Sequence, residues 1–213
     1  QADGIGKTQE DVDKIMKMSM SASSLKNYLV CPAKFYYSSV MRLKLEEEVA
    51  ESLDAAMIGT IFHAVMFDIY AAAYDGPIST TDDGKFWIGM LDVPYKVSRK
   101  HMNAWHDNEA EIRRKVMGMI AQTMKTDEVS GRNLVIADVI VKYVLQTLAR
   151  DIAYLDEKAT DNLMVYGLEV PLDIKLGGQR IEGLIDRVDA VREGEIRVVD
   201  YKTGKVLPED YEI

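Results

Sequence analysis

Three features of this sequence predict an α+β fold. Apolar residues follow helical spacing through most of the first 160 positions, a two-residue alternation takes over near Leu168, and glycine-marked turns divide the remainder into an antiparallel meander. The expected architecture is a helix-rich N-terminal part and a central mixed sheet flanked by helices. Residues 1–19 read as a linker or flexible arm and 20–213 as one domain, mainly helical over 20–160 with its strands over 161–206.

The elements follow in order. The polar arm holds at most a short helix around Glu10–Met18. Ser21-Ala22-Ser23-Ser24 offers a serine cap for a helix carrying Leu25, Tyr28 and Leu29, which must end before Pro32; a short helix with Phe35, Tyr36 and Tyr37 follows. Ser52 reads as the cap of a long helix through Leu53, Met57, Ile61, Ala64, Phe67, Ile69 and Tyr70. Gly76 to Asp83 is a loop by composition. From Lys85 to about Lys158 the pattern reads as helical, broken near Pro94 and at Ser130-Gly131. Leu168, Val170, Leu172, Ile174 and Leu176 then alternate with Glu169, Asp173 and Lys175, the period of a strand with one buried face. Gly177-Gly178 signals a two-residue hairpin. A second strand is expected from about Arg180 to Val191, a turn on Glu193-Gly194, and a third strand to Tyr201.

Composition narrows the function. A net charge of −9 argues against coating nucleic acid through bulk electrostatics, yet a site built on divalent cations can be acidic. Cys31 is the only cysteine, so neither an intrachain disulfide nor a four-cysteine zinc or iron–sulfur site can form within the chain; this suits a reducing cytoplasm. No run of eighteen apolar residues and no signal pattern is present, so a cytoplasmic protein without a membrane partner is expected. The start without Met reads as a fragment of something longer.

Chemistry concentrates on the last two strands. Residues two apart on a strand share a face, so Asp200 and Lys202 project together and Tyr201 points the other way. Asp186 lies near their level on the preceding strand, and its face depends on the turn. A two-residue loop at Glu193-Gly194 would set it opposite Tyr201. A three-residue loop through Glu195, with Gly194 at positive φ, would set it opposite Lys202, and this odd-numbered loop or an equivalent bulge is the expectation. Two ionised carboxylates at 4 Å repel by roughly 4 kcal/mol at an effective dielectric of about 20, so such a pair calls for a cation. Hard oxygen ligands select Mg²⁺ or Mn²⁺, with the backbone carbonyl of Tyr201 as an extra ligand. Lys202 would then orient or help deprotonate an attacking water and stabilise charge in the transition state. Asp-x-Lys alone is better explained by an exposed ion pair; Asp186 on the neighbouring strand is what adds weight. Asp189 reads as solvated or arginine-paired.

The run Gly183-Leu-Ile-Asp186-Arg-Val-Asp, followed by Val199-Asp200-Tyr201-Lys202-Thr203-Gly204, resembles the nuclease motifs of the PD-(D/E)XK superfamily in its RecB/AddB-like branch. Ser23 to Tyr37 is similar to that branch's opening helix, and Gly59-Thr-Ile-Phe-His63 resembles its histidine motif. The resemblance covers 21–70 and 165–206 in the right order. It implies a restriction-endonuclease-like core with Asp186 and Asp200 as metal ligands and Lys202 as the catalytic lysine. His63 becomes a further ligand or orienting group, and Glu169 an auxiliary acid. By spacing alone His63 is a core or surface histidine; its Gly59 context reverses that reading. It also implies an exonuclease module of an AddB-like helicase–nuclease, partnered by DNA and a helicase, in double-strand-break repair. The rivals are a catalytically silent nuclease-like module that binds DNA ends or serves as a scaffold, and a metal-independent interaction domain whose acids are surface ion pairs.

The chain departs from that pattern in places. The branch's Gln-x-x-x-Tyr helix is not reached by Ile213, and three of the four cysteines that would hold an iron–sulfur cluster are missing, so a cluster is not expected in this chain. Cys31 reads as a small buried residue beside Pro32. Phe67 stands where an acid often follows the histidine, with Asp68 next to it. Lys26, Lys34, Arg42, Lys44, Lys96, Arg99, Lys100 and Arg113-Arg114-Lys115 are dispersed basic residues available to DNA or to solvent. Tyr36 and Tyr37 could stack on single-stranded bases, though packing between helices is the favoured reading, and His101 and His106 read as surface residues.

Overall fold

The computed structural model describes residues 8–43, 52–82 and 84–204. Residues 1–7 of the expected arm, Lys44, Asp83 and the end of the region read to 206 lie outside the described residues. Those described fall into two compact units, one drawn from 1–48 and 171–184, the other from 49–170 and 185–213. The fold is α+β, with a mixed central sheet and flanking helices.

In the first unit, helix α1 (Gln9–Lys17) occupies much of the stretch read as an arm. Thr8 and Asp11 close a reciprocal capping box at its start. Strand β1 (Ser19–Ser21) leads into α2 (Ala22–Val30), capped as expected by Ser21, then α3 (Pro32–Phe35) and a π-helical turn at Tyr36–Val40. Tyr36 donates to Asp11 and stands edge-on to Tyr37, so the pair is engaged within the unit. Cys31 is exposed, not buried as expected: it sits in extended backbone between two helices, where neither helix covers it. This unit also holds the far halves of β5 (Asn162–Leu176) and β6 (Gln179–Ala190), joined by Gly177-Gly178 at φ 58° and 85°, the predicted two-residue turn. β1 pairs in parallel with β6, Met20 against Ile181. The expected buried face of β5 stops at Val170. Leu172, Ile174 and Leu176 are exposed, because the core cluster takes in no residue from 171–184.

In the second unit, α4 (Ala55–Ala71) is capped by Asp54 instead of Ser52, its carboxylate accepting from the Met57 amide. The helical reading from Lys85 fails at first. Phe86–Trp87 (β3) and Tyr95–Ser98 (β4) are strands, since aromatic and β-branched residues around Pro94 favour extended backbone, and β2 (Ser79–Thr80) pairs with β3. Helices α5 (Arg99–His106), α6 (Glu109–Met124) and α7 (Arg132–Glu157) follow. β4 runs antiparallel to β5, and β6 antiparallel to β7 (Ile196–Val199). The core gathers α4, α6 and α7 against the near half of β5 through Ile61, Met66, Ile69, Ile112, Ile120, Val144, Leu148 and Leu163. Among the described residues no helix is long and apolar enough to cross a membrane.

The turn between β6 and β7 has the predicted parity but a different length. Ala190 pairs with Ile196, leaving a five-residue loop over 191–195 with Gly194 at φ 84°. The register is therefore two residues shorter than a loop at 193–195 would give, and it runs Arg187 against Val199. Continued one step, it would face Asp186 towards Asp200 and not Lys202.

Candidate metal centre

Three elements of the second unit converge on one point. α4 brings His63, β5 brings Glu169 and β6 brings Asp186, and one ligand atom from each lies within 4.8 Å of the others. His63 Nδ1 stands 3.4 Å from an Asp186 oxygen and 3.6 Å from a Glu169 oxygen. Asp186 is 7% exposed and the other two are half-buried, so the carboxylates are partly withdrawn from water.

Local backbone explains how each side chain gets there. His63 lies one turn after Gly59, where a Cβ would meet the Thr203 hydroxyl at 3.6 Å, so α4 runs close to the segment after β7. Glu169 sits at φ 48°, a left-handed conformation unusual for a non-glycine residue within a strand. Just before it, Gly167 presses on the Ile88 and Gly89 carbonyls, where a Cβ would stand 3.0 and 3.1 Å away. This irregularity places two buried residues, Gly167 and Leu168, in succession and re-aims Glu169 towards His63. Backbone strain of this kind gathers at functional sites.

The donor set suits a divalent cation. Two carboxylates and an imidazole supply hard oxygen and borderline nitrogen ligands, compatible with Mg²⁺ or Mn²⁺. Without one, a proton on His63 provides the positive charge. Burial opposes that charge, but the Asp186 and Glu169 carboxylates outweigh it and lift the imidazole pKa to about 10.

Asp200 and Lys202 are arranged differently. Their side chains pair with each other at 2.8 Å and are more than half exposed, and Asp200 stands outside the His63–Glu169–Asp186 group. The link between the two sets is Tyr201: its backbone N–H donates to the Asp186 carboxylate, and its ring is buried against Phe62 and His63. Tyr201 thus points away from its neighbours, as the strand period predicted. A groove of about 840 Å³ opens on Asp200 and Lys202 and is bordered by Tyr143, Gln146 and Arg150 of α7.

Several other residues considered from sequence have structural partners. Asp68 pairs with Lys115, Arg113 with Asp138, and Arg114 with Glu111. His101 is half-buried and lies 2.8 Å from the Ile69 carbonyl oxygen, so it is not a free surface residue; His106 stands beside Asp107. Asp189 is fully buried and arginine-paired.

Sequence reading missed Asp151, Arg187 and Arg197. Asp151 and Asp189 each bind both arginines at 2.7–2.9 Å. The signal was present in α7, where Val144, Leu148, Asp151 and Leu155 occupy one buried stripe and an acid in that stripe demands a partner.

Gene 69 protein of Mycobacterium phage L5 is 46% identical to this chain over 46 residues, which cover 22% of this chain and only 16% of that protein. The family model described as the PD-(D/E)XK nuclease superfamily matches residues 19–212, taking in all three residues of the buried group as well as Asp200 and Lys202. A match over nearly the whole length shows that this chain belongs to the PD-(D/E)XK nuclease superfamily, whose members are typically metal-dependent nucleases.

Proposed function

We propose that this chain is a Mg²⁺- or Mn²⁺-dependent DNA nuclease module of the RecB/AddB-like branch, hydrolysing phosphodiester bonds as the exonuclease part of a helicase–nuclease in double-strand-break repair. The observation that carries the reading is the convergence of His63, Glu169 and Asp186 within 4.8 Å, tied through the Tyr201 amide to the Asp200–Lys202 segment. In this reading His63, Glu169 and Asp186 hold the cation, with Asp200 and the Tyr201 carbonyl as further ligands. Bound there, a divalent cation would neutralise the carboxylates and acidify water for attack on phosphorus. Lys202 steadies the charge that builds on the phosphate, and Asp200 keeps its ammonium beside the strand end. DNA is the substrate, and a helicase domain or subunit delivers it, which suits the acidic chain. The order of the histidine motif, Gly183–Asp189 and Val199–Gly204 supports this branch.

The pairing of Asp200 with Lys202 outside the buried group also suits a second reading, a silent nuclease-like module that binds DNA ends. Calorimetric Mn²⁺ titration and cleavage of a labelled single strand separate the two. Asp186→Ala should abolish both Mn²⁺ binding and cleavage. Lys202→Ala should keep binding and lower cleavage at least about 100-fold, as loss of one preorganised charge does elsewhere. Mn²⁺ binding without cleavage by the unsubstituted chain would favour the silent module, and no Mn²⁺ binding would defeat the metal centre itself.

A further inference from the structure

We propose that Arg187 is a positioning residue for this centre: it clamps the Tyr201 side chain, and the clamped Tyr201 backbone holds the Asp186 carboxylate and sets the course of Asp200 and Lys202. Arg187 is next in the chain to Asp186, so on a strand its side chain leaves by the opposite face. It is 1% exposed and donates in three directions: Nε to Asp189 at 2.7 Å, one terminal nitrogen to Asp151 at 2.8 Å, and the other to the Tyr201 hydroxyl at 2.8 Å. Its guanidinium also lies 4.3 Å from the Tyr70 ring centre and 5.6 Å from that of Tyr201. Asp151 is itself anchored by the Tyr70 hydroxyl and Arg197.

The consequence follows from where β7 stops. Its ladder ends with Val199 opposite Arg187, so no strand pairing fixes 200–202. Two contacts hold Tyr201 instead: its hydroxyl on Arg187 and its amide on Asp186. The ring between them packs edge-on to Phe62 and His63 at 5.5 and 5.7 Å. Tyr201 therefore links both faces of β6, through its hydroxyl on one and its backbone amide on the other, and the charge-assisted bond from Arg187 orients its ring. A lysine could not replace the planar fork, because its single ammonium cannot serve three acceptors in this geometry.

The inference rests on the nuclease reading only for its activity measurement, so the test begins with metal-free chain. Amide hydrogen exchange by NMR is followed in the unsubstituted chain, Tyr201→Phe and Arg187→Lys. Loss of the clamp should speed exchange at the backbone amide of position 201 at least about tenfold while Val188 and Val198 keep their protection. Unchanged exchange at 201, or equal loss throughout β6 and β7, overturns the proposal in favour of a merely structural network. Mn²⁺ titration should then show about 10-fold weaker binding in Tyr201→Phe, the lower end of what loss of an outer-shell partner costs. Cleavage of a labelled single strand should lose kcat with KM unchanged. A wild-type Mn²⁺ affinity and kcat in Tyr201→Phe would also overturn it. If the unsubstituted chain binds Mn²⁺ but cuts nothing, the nuclease reading fails while the exchange and affinity results still decide the role of Arg187.

Discussion

His63 is the residue through which pH reaches the centre. Its two carboxylate neighbours raise its pKa to about 10 against its burial, so in the metal-free chain it carries a proton at neutral pH. The sign for stability follows: the ion pairs contribute fully below pH 6.5, the ordinary histidine value, and their contribution is lost as pH rises through about 10. A cation that takes an imidazole nitrogen must displace that proton. Mn²⁺ binding should therefore release one proton at pH 7, and its apparent affinity should climb about tenfold per pH unit below the histidine pKa. Calorimetry in buffers of different ionisation enthalpy counts the protons; a count of zero would remove His63 from the ligand set. Glu169 offers a second check at this scale, because its backbone conformation suits glycine. Glu169→Gly should be more stable to urea than Glu169→Ala by about 1 kcal/mol, and both should bind Mn²⁺ more weakly. Equal stabilities would mean that the left-handed backbone costs nothing.

Strands β6 and β7 and helix α7 are joined by a buried network of charges. Asp151 and Asp189 face Arg187 and Arg197, and among the described residues every buried polar side-chain atom finds a hydrogen-bond partner. Removing one partner leaves a buried charge, so Asp151→Asn should cost about 3–5 kcal/mol in urea unfolding; a loss below about 1 kcal/mol would show that the network is better hydrated than its burial implies. Burial works against the Asp151 charge, but Arg187 and Arg197 hold its carboxyl below the usual range. With a lowered folded-state pKa, its contribution is present above the unfolded value of 3.8 and fades as pH falls below that. At this scale the sequence was legible where periodicity and turn chemistry agree, as at Ser21, Gly177-Gly178 and the odd loop with Gly194. It misled at 86–98, where short strands sit in a pattern that also fits a helix.

For the molecule as a whole, charge sets how DNA can be held. The chain carries −9, and Arg113, Arg114 and Lys115 are already paired with acids on their own unit. A net negative charge opposes the approach of phosphate, so binding of a single strand by Lys202→Ala in Mn²⁺ should fall only shallowly with salt. A slope of log K against log salt between 0 and about −2, from fluorescence anisotropy, corresponds to at most about three phosphate contacts. A slope steeper than about −5 would reveal a basic path that these ion pairs conceal. In the proposed function, such a shallow grip would leave the strand to be carried by a partner.

The sequence by itself determined the α+β class, the hairpin at Gly177-Gly178, the shared face of Asp200 and Lys202 and the opposite course of Tyr201. These are local matters of period, turn chemistry and two-residue spacing. It also singled out Asp186 from strand register, and His63 and Glu169 by resemblance to known motifs. The tertiary structure decided that these three share one point while Asp200 stands apart, because that depends on the β6–β7 register and a strained backbone at Glu169. It alone revealed Asp151, Arg187 and Arg197 as one buried network, since charges 36 to 46 residues apart become partners only when a helix packs on a sheet.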